Sequence, residues 1–503
     1  MGASISNRKR STRFVKPRDN PQEFAIIKAE QREIYCDDKH REATIMRIIS
    51  PIDGSLVAER EPATDTQINT ALERALTAQR IWRTVSITER ARYCRLAVAT
   101  LAAQTREIAP EITLLIGRPV RETPQEIKDT ETCVEYMIDI AERYLEDIIT
   151  QPKTGFRRYM RREPLGVALC IAPWSHPYLA AASAIIPALM AGNCVILKHS
   201  TQTLLCAERF SHIFFEAGLP DGVFQHLHVK DADMLRLISD HRVRHVSFTG
   251  SSATGVAIER AAAGTFKKLT LELGGNNPAY VFPDAPLHMS AAGIAKGALL
   301  NCGQSNHAIE RIYAHEDIYE DFLDALVAEV KHYKLANPMQ PTTTLGPMVS
   351  AQKAMAVRTQ LDAAIAQGAT PCIESAHFSD SCLGSTYLAP QILTNVDHSM
   401  TLMASETFGP VMGVMKVKDD AEAVHFMNDS LYGLRASLWA QDIARAQAIG
   451  EQLQTGAVLM NPGIHIDPAL AWGGVKQSGC GSLLSELAYT QLTQAKSYYL
   501  RMA

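Results

Sequence analysis

The stretch GVALCIAPWSHPYLAAASAIIPALMAGNCVILK, residues 166–198, decides the fold. Its pattern indicates an apolar strand over 166–171, a helix over about 177–190, and a second apolar strand over 194–198. Short strands that are apolar throughout and separated by a helix are typical of parallel sheets with helices on both faces. The stretch therefore predicts a doubly wound parallel sheet, in which ligands bind at the carboxyl ends of the strands.

The same alternation extends along the chain in both directions. Downstream it predicts a helix over about 203–217 and strands at about 224–228, 245–248 and 268–273. Upstream, residues 64–108 and 124–148 show the periodicity of surface helices. A second alternating region over about 278–460 predicts a second α/β domain, with a substrate cleft between the two domains.

The bulk composition excludes several classes of protein. The 503 residues are too many for one compact core, and 46% apolar with 21% charged residues is ordinary globular composition. A net charge of −4 argues against a nucleic-acid partner, and no apolar run reaches the ~18 to 20 residues that span a bilayer. The ten cysteines form no C-x-x-C pair, so we expect no metal site, no disulfide framework and a cytoplasmic location.

The N-terminal tail, residues 1–40, carries two features that could attach it to a membrane. Gly2 and Ser6 fit the N-myristoylation pattern M-G-x-x-x-[ST], and six basic residues follow before the first acid, Asp19. An acyl chain plus a basic patch gives membrane association, whereas the same composition also suits a transit peptide. Because the motif is short and permissive, we expect a flexible, solvated basic tail and keep membrane contact through it as the alternative.

Two features of the first predicted domain suit a bound phosphate or hydroxyl. In HVSFTGSSATG, residues 245–255, a strand runs into Gly250 and a helix begins near Ser252, where free N–H groups could bind a phosphate. A tight turn without a ligand explains this segment equally well. Lys198 ends a buried strand, where an ammonium group needs a polar partner that a ligand could supply. The dinucleotide fingerprint G-x-G-x-x-G and the P-loop are both absent.

Glu272, in LELGGNNP (271–278), is a candidate general base. It lies in an apolar strand just before two glycines, so its carboxyl group should be desolvated and its pKa raised. A salt-bridged glutamate at a domain hinge is the alternative.

Seven motifs then occur in order along the chain: IAPWSHP (171–177), PALMAGNCVILKHS (187–200), FTGSSATG (248–255), LELGG (271–275), NCGQ (301–304), SETFGPV (405–411) and WGGVKQSG (472–479). In this order and spacing the chain resembles the aldehyde dehydrogenase superfamily from about residue 45 to 500. The resemblance implies an α/β fold with two doubly wound parallel-sheet domains and a small β oligomerisation arm. We expect a dinucleotide-binding domain over 41–149 and 167–272, the arm over 150–166 and 488–503, and a catalytic domain over 273–487.

The resemblance also implies roles for individual residues. In that family a thiolate attacks an aldehyde, an amide holds the oxyanion, NAD or NADP accepts hydride, and a glutamate activates the water that hydrolyses the thioester. Glu272 matches the position of that glutamate. The implied cofactor site contains Trp174, Gly250, Lys198 on the adenosine ribose, Ser251 on the pyrophosphate, Glu406 on the nicotinamide ribose and Phe408 beside it. Thr201 replaces a frequent acid, so NADP is as plausible as NAD.

Three positions depart from the family pattern. The motif G-Q-x-C ends here in Asn306, so the nucleophile position holds an amide. The oxyanion asparagine is replaced by Ser175, and the lysine after L-E-L-G-G by Asn276. Because an amide is not a nucleophile at neutral pH, covalent catalysis should be impaired. Of the nearby alternatives, we expect Cys302 to be a packing residue and His307 a hydrogen-bonded structural histidine.

Two functional hypotheses remain open at this point. The first is a pseudoenzyme that binds NAD or NADP but oxidises aldehydes poorly, alone or as the partner of an active homologue. The second is a divergent oxidoreductase that converts a small-molecule aldehyde, or its hydrate, to an acid. In either case the arm, Phe156 to Arg162 with Lys496 to Arg501, implies a homodimer or homotetramer.

Overall fold

The computed structural model describes residues 45–381, 384–461 and 466–502. The predicted N-terminal tail, with its acylation motif at Gly2, lies outside the described residues. Across the described ranges, no helix combines the length and the apolar character that crossing a bilayer requires.

The described helices are α1 Asp65–Trp82, α2 Ile87–Ala103, α3 Thr105–Ile116, α4 Thr123–Leu145, α5 Pro177–Met190, α6 Leu204–Glu216, α7 Asp231–Ser239, α8 Ser252–Ala262, α9 Leu287–Leu299, α10 Tyr319–Lys331, α11 Ala351–Ala366, α12 Thr401–Ala404, α13 Asp420–Asn428, α14 Ile443–Gly450 and α15 Ser485–Gln491. Short 3₁₀ turns lie at Thr201–Thr203, Leu300–Gly303, Glu316–Ile318, Ser375–His377 and Lys476–Ser478.

The described strands are β1 Met46–Ile49, β2 Leu56–Arg60, β3 Ile148–Ile149, β4 Phe156–Pro164, β5 Val167–Ala172, β6 Cys194–His199, β7 Phe224–His226, β8 Val243–Thr249, β9 Lys268–Glu272, β10 Asn277–Val281, β11 Ile309–His315, β12 Thr370–Pro371, β13 Gln391–Thr394, β14 Val411–Val417, β15 Arg435–Trp439, β16 Ala457–Met460, β17 Gly479–Cys480 and β18 Thr493–Arg501.

Two large sheets confirm the predicted doubly wound architecture. The first has the order β17-β9-β8-β5-β6-β7 and the second the order β12-β13-β14-β11-β10-β15-β16. All pairings within them are parallel except the two-residue edge strands β17 and β12, which pair antiparallel with β9 and β13. Periodicity cannot reveal strands of two residues, so the sequence predicted wholly parallel sheets.

The βαβ unit over residues 166–198 folds as its pattern predicts. Strands β5 and β6 are buried along their whole length and pair in parallel register from Val167–Cys194 onward. Helix α5 between them is buried at 13 of its 14 positions, and it continues through Pro187. A helix that is apolar on all sides is stable only inside the protein, which is where α5 packs, against α4 and the first sheet.

A third, three-stranded sheet has the order β18-β4-β3. Strands β18 and β4 pair antiparallel from Thr493–Pro164 to Arg501–Phe156, and the rings of Tyr159 and Tyr498 stack at 4.5 Å. This is the small β element of the expected fold, and its part in oligomerisation stays a prediction. The domain boundaries also stay predictions, although β17, inside the segment assigned to the catalytic domain, pairs with β9 of the first sheet.

The two large sheets are joined end to end. Strand β9 ends at Glu272 and β10 of the second sheet begins at Asn277, with only four residues between them. The carboxyl ends of the first sheet's strands therefore face the amino ends of the second sheet's strands. The predicted cleft lies at this junction.

Candidate active site

A cavity lies between the facing ends of the two sheets. The first sheet contributes the segments that follow β5 and end β8, and the second contributes the starts of β11 and β15 together with helix α9. Most lining side chains are apolar. The lining residues are Pro173, Ser175, His176, Leu179, Ala180, Ser183, Thr249, Gly293, Gly297, Leu300, Ser305, Asn306, His307, Ile309, Arg435, Trp439, Ile466, Trp472, Leu483 and Leu484.

Asn306 is fixed in the cavity wall, just before β11. Its side-chain amide donates to the carbonyl oxygen of Leu273 at 3.2 Å. Its own carbonyl oxygen accepts from the side-chain amide of Asn277 at 2.8 Å. The loop that carries Asn306 is thus tied on both sides to the segment that joins the two sheets.

The same loop turns sharply before Asn306 and buries Cys302. Asn301, Cys302 and Gly303 all have positive φ, with values of 52°, 57° and 71°. The Cys302 side chain packs in the core of the second sheet and is not among the cavity-lining residues. Burial raises the pKa of the Cys302 thiol above its usual range, which disfavours the thiolate. Cys302 is the packing residue that we expected.

Ser175 is held by a buried ion pair. Its carbonyl oxygen accepts from a guanidinium nitrogen of Arg118, which also pairs with Glu126 at 2.5 Å. The other carboxylate oxygen of Glu126 accepts from the N–H groups of Tyr178 and Leu179, at the start of α5. The backbone at Ser175 is therefore rigidly placed, and Ser175 itself lines the cavity.

His307 is not the hydrogen-bonded histidine that the sequence led us to expect. Its Nδ1 is buried without a hydrogen-bond partner among the described residues, and its ring lies 4.2 Å from the ring of Trp472. Burial, assisted by the positive charge of Arg435, lowers the pKa of His307 to about 3. The ring is therefore neutral at physiological pH. Packing against Trp472 replaces the expected hydrogen bond.

Glu272 is buried completely, as its apolar strand predicted. Neither carboxyl oxygen has a hydrogen-bond partner in the described part of the chain, and burial raises the pKa of Glu272 well above its usual value. The salt-bridged alternative is therefore wrong. Glu272 does not itself line the cavity, but its register partner on β8, Thr249, does.

Asn276 lies in the segment that joins the two sheets, three residues after Leu273. It is buried and donates from its side-chain amide to the carbonyl oxygen of Ser405 at 3.1 Å. It therefore connects this segment to the loop that carries Glu406. A lysine at this position would have to bury an ammonium group in the same place.

The first-sheet candidates for cofactor binding lie at strand ends. Lys198, near the end of β6, is buried, and its Nζ lies 3.4 Å from Asp231 Oδ1. Ser251 caps the start of α8, where its hydroxyl accepts from the N–H of Thr254 at 3.2 Å. The preceding residue is Gly250, where a Cβ atom would collide with the ring of Phe248.

Glu406 and Phe408 lie on a loop that is held by a glutamate not singled out from the sequence. Glu310 is buried on β11, and its carboxylate accepts from the N–H groups of Thr407 and Phe408 at 2.9 and 2.8 Å. Glu406 Oε1 accepts from Gly275 N at 2.9 Å. Phe408 has a φ of 51°, and its ring meets that of Trp174 edge-on at 5.8 Å. Trp174, Glu406 and Phe408 are thus brought to the same junction.

Comparison with known proteins identifies the family. The profile of the aldehyde dehydrogenase family matches residues 37–498. The chain therefore belongs to the aldehyde dehydrogenase family. It is 33% identical to succinate-semialdehyde dehydrogenase [NADP(+)] of Deinococcus radiodurans, over 89% of this chain and 93% of that protein. It is 34% identical to betaine aldehyde dehydrogenase 2 of Rhizobium meliloti, over 90% and 94%.

Solved structures agree with this family assignment. The betaine aldehyde dehydrogenase of Staphylococcus aureus, solved in complex with NAD+, has a TM-score of 0.86 and 27% identity. The match covers 91% of this chain and 92% of that one. The overall architecture of this chain is therefore that of a solved aldehyde dehydrogenase.

Arg435 is the cavity residue that sequence reasoning missed. It begins strand β15, and its backbone N–H donates to Asn277 Oδ1 at 3.1 Å. Burial lowers the pKa of its guanidinium to about 10. The signal that could have found it is the one that singled out Lys198, a charged residue in an apolar strand, here in YGLRASLW (432–439).

Proposed function

We propose that this member of the aldehyde dehydrogenase family binds NAD or NADP but is impaired in covalent aldehyde oxidation. The observation that carries the proposal is the position of Asn306, which lines the cavity with its amide hydrogen-bonded to Leu273. No cysteine occurs among the described lining residues, so no thiol is available to replace it.

The chemical reason lies in the order of the reaction. An aldehyde carbon cannot release hydride until a nucleophile has added to it, and a neutral carboxamide does not add. Loss of an oxyanion donor costs a further ~10² to 10³ in rate in other enzymes, of which Ser175 can recover only a part. Both losses act on the same tetrahedral species, so their effects do not simply multiply.

The residues of the predicted cofactor site fit a dinucleotide. When bound, NAD or NADP would supply a hydride acceptor. Lys198 would donate to a ribose hydroxyl, since its buried ammonium has only the contact with Asp231 at 3.4 Å in the described structure. Ser251 and the start of α8 would bind the pyrophosphate. Glu406 and Phe408 would hold the nicotinamide end.

A divergent oxidoreductase is the second candidate, and the environment of Glu272 supports it. A hydrated aldehyde already carries the oxygen that a nucleophile would add. Glu272, next to the lining residue Thr249, would have to turn toward the cavity to take a proton from such a substrate, and a bound dinucleotide would supply the hydride acceptor. A carboxyl group with a raised pKa is a suitable proton acceptor near neutral pH once it is ionised.

Two measurements on the purified full-length protein test the proposal. Calorimetry with NAD+ and NADP+ should show binding of at least one, weakened about tenfold or more in the Lys198→Met variant. The surface variant Lys353→Met serves as the control. Absence of binding to both dinucleotides would overturn the proposal.

The second measurement follows NAD(P)H formation with a panel of aldehydes. We expect a rate no higher than that of the Glu272→Ala variant. Clear turnover above that variant would favour the divergent oxidoreductase instead.

Assembly and location are part of the same proposal. The strand pair β4–β18 would form the contact of a homodimer or homotetramer, or of a complex with an active homologue. We propose a cytoplasmic location with membrane contact only through the N-terminal tail. Sedimentation of the purified protein and intact-mass measurement at Gly2, after expression in a eukaryotic host, would test the two points.

A further inference from the structure

Arg435 places a positive charge in the cavity without a counter-ion. Its guanidinium makes no hydrogen bond or ion pair with the described residues, and no carboxylate contributes to its lowered pKa. The contrast is Arg311, which is fully buried in a strand of the second sheet, whereas Arg435 is half-buried at the cavity wall. The guanidinium of Arg311 donates to four oxygens, those of Asn276, Tyr313, Phe426 and Met427.

The surroundings of Arg435 offer it no compensation. Burial lowers the pKa of both lining histidines, His176 and His307, so both rings are neutral, and Glu272 is buried outside the lining of the cavity. The cavity is otherwise lined largely by apolar side chains, including those of Leu300, Ile309 and Trp439. Among the described lining residues, Arg435 is therefore the one permanent charge.

An unpaired guanidinium in such an environment is costly. A charge that is partly withdrawn from water without a partner loses part of its solvation, and proteins normally pair it or neutralise it. An arginine keeps its charge at neutral pH, so an anion must supply the compensation. In the free protein the guanidinium of Arg435 thus lacks part of its solvation free energy, and a bound anion would offset this loss.

We propose that this cavity binds a small carboxylic acid anion with an apolar chain, and that the guanidinium of Arg435 is the partner of its carboxylate. A carboxylate matches the fork of a guanidinium in two parallel hydrogen bonds and carries the single charge that is needed. A phosphate dianion would leave a net negative charge among apolar side chains. The apolar walls would contact the ligand's hydrocarbon chain.

The proposal deepens the proposed function, because it names the ligand class of the same cavity and rests on that cavity being the functional site. It gives an impaired catalyst a specific ligand, an acid rather than an aldehyde. It does not depend on dinucleotide binding, so the two can fail separately.

The test is calorimetry on the full-length protein with sodium hexanoate, hexanamide and inorganic phosphate as probes. Hexanoate and hexanamide share their carbon chain and differ in charge. We expect the wild type to bind hexanoate at least tenfold more tightly than hexanamide and not to bind phosphate. In Arg435→Met the ratio of the hexanoate affinity to the hexanamide affinity should fall below twofold. Arg435→Lys, which keeps the positive charge, should have a ratio between those of Arg435→Met and the wild type. The exposed control Arg47→Met should behave as the wild type.

A thermal measurement guards against a merely structural role for Arg435. Removing an uncompensated charge should leave the Tm of the ligand-free Arg435→Met variant equal to or above that of the wild type. A lower Tm would mean that the guanidinium has a stabilising partner, which overturns the premise. Equal binding of hexanoate and hexanamide by the wild type, or tight binding of phosphate, would overturn the proposal and leave the dinucleotide test untouched.

Discussion

The side-chain amide of Asn306 donates a hydrogen bond to the backbone carbonyl of Leu273 across 3.2 Å. Under the proposed function, this bond holds a carboxamide where a catalytic thiol would otherwise lie. The same position faces the cavity, so a thiol introduced there would reach a bound carbonyl compound.

Asn306→Cys should therefore create aldehyde-dependent formation of NAD(P)H. Adding Ser175→Asn should increase the rate by a further ~10² to 10³, because an oxyanion donor is restored. The formation of NAD(P)H is followed by its near-ultraviolet absorbance at steady state. Mass spectrometry detects the acylated protein. Asn306→Ala, which loses the same hydrogen bond without gaining a thiol, is the control. Equal rates for the Cys and Ala variants would contradict the expectation.

Glu272 should make the stability of the protein fall as pH rises. Burial raises the folded-state pKa of Glu272 above its unfolded value. The stability that comes from keeping this carboxyl group protonated is therefore fully present below the unfolded pKa and is lost as pH rises through the folded pKa. Glu272→Gln lacks this titration. Its stability relative to the wild type should increase between these two pKa values by up to about 1.4 kcal/mol per pH unit. Urea unfolding from pH 5 to 9 measures the difference, and a flat difference would refute the argument.

Removing either partner of the buried pair Arg118–Glu126 on its own should lower the free energy of unfolding strongly. Their side chains are 3% and 1% exposed, so Arg118→Met leaves a buried carboxylate uncompensated, at a cost of about 3–5 kcal/mol. The exposed pair of Arg47 and Glu59 is the comparison, where Arg47→Met should cost about 1 kcal/mol or less. Urea unfolding followed by circular dichroism distinguishes them. Similar costs for both variants would show that burial is not decisive.

Gly303 should tolerate no side chain, because two constraints coincide there. Its φ is 71°, and a Cβ atom would collide with the backbone of Gly409 in the loop that carries Phe408. Gly54 has a similar φ of 78° but open space around it. Gly54→Ala should therefore cost about 1–2 kcal/mol from strain alone, and Gly303→Ala at least about 2 kcal/mol more. If unfolding experiments give equal costs, backbone strain alone would govern both sites.

Much of this architecture follows from residues that are neighbours in the sequence. The buried helix α5 and its flanking strands follow from their unbroken apolar runs, and the desolvation of Glu272 follows from the apolar strand around it. The end of a strand is also a local property, which is why Lys198 and Ser251 could be singled out.

The remainder depends on partners that are distant in the sequence. Glu310 binds the N–H groups of a loop almost 100 residues away, and His307 packs on a tryptophan 165 residues away. A charged residue in an apolar strand, such as Arg435, can be recognised in the sequence. The sequence does not show whether an oppositely charged side chain packs against it. Antiparallel edge strands of two residues are too short to produce any periodicity.

The four-residue link between β9 and β10 has a mechanical consequence. Glu272 ends strand β9 of the first sheet and Asn277 begins strand β10 of the second. After the second sheet, the chain returns to the first sheet as strand β17, which pairs with β9. Neither large sheet can change its twist or unfold without displacing the other. Heating should consequently produce one sharp cooperative transition instead of two separate ones, with the cavity collapsing at the same temperature as both halves.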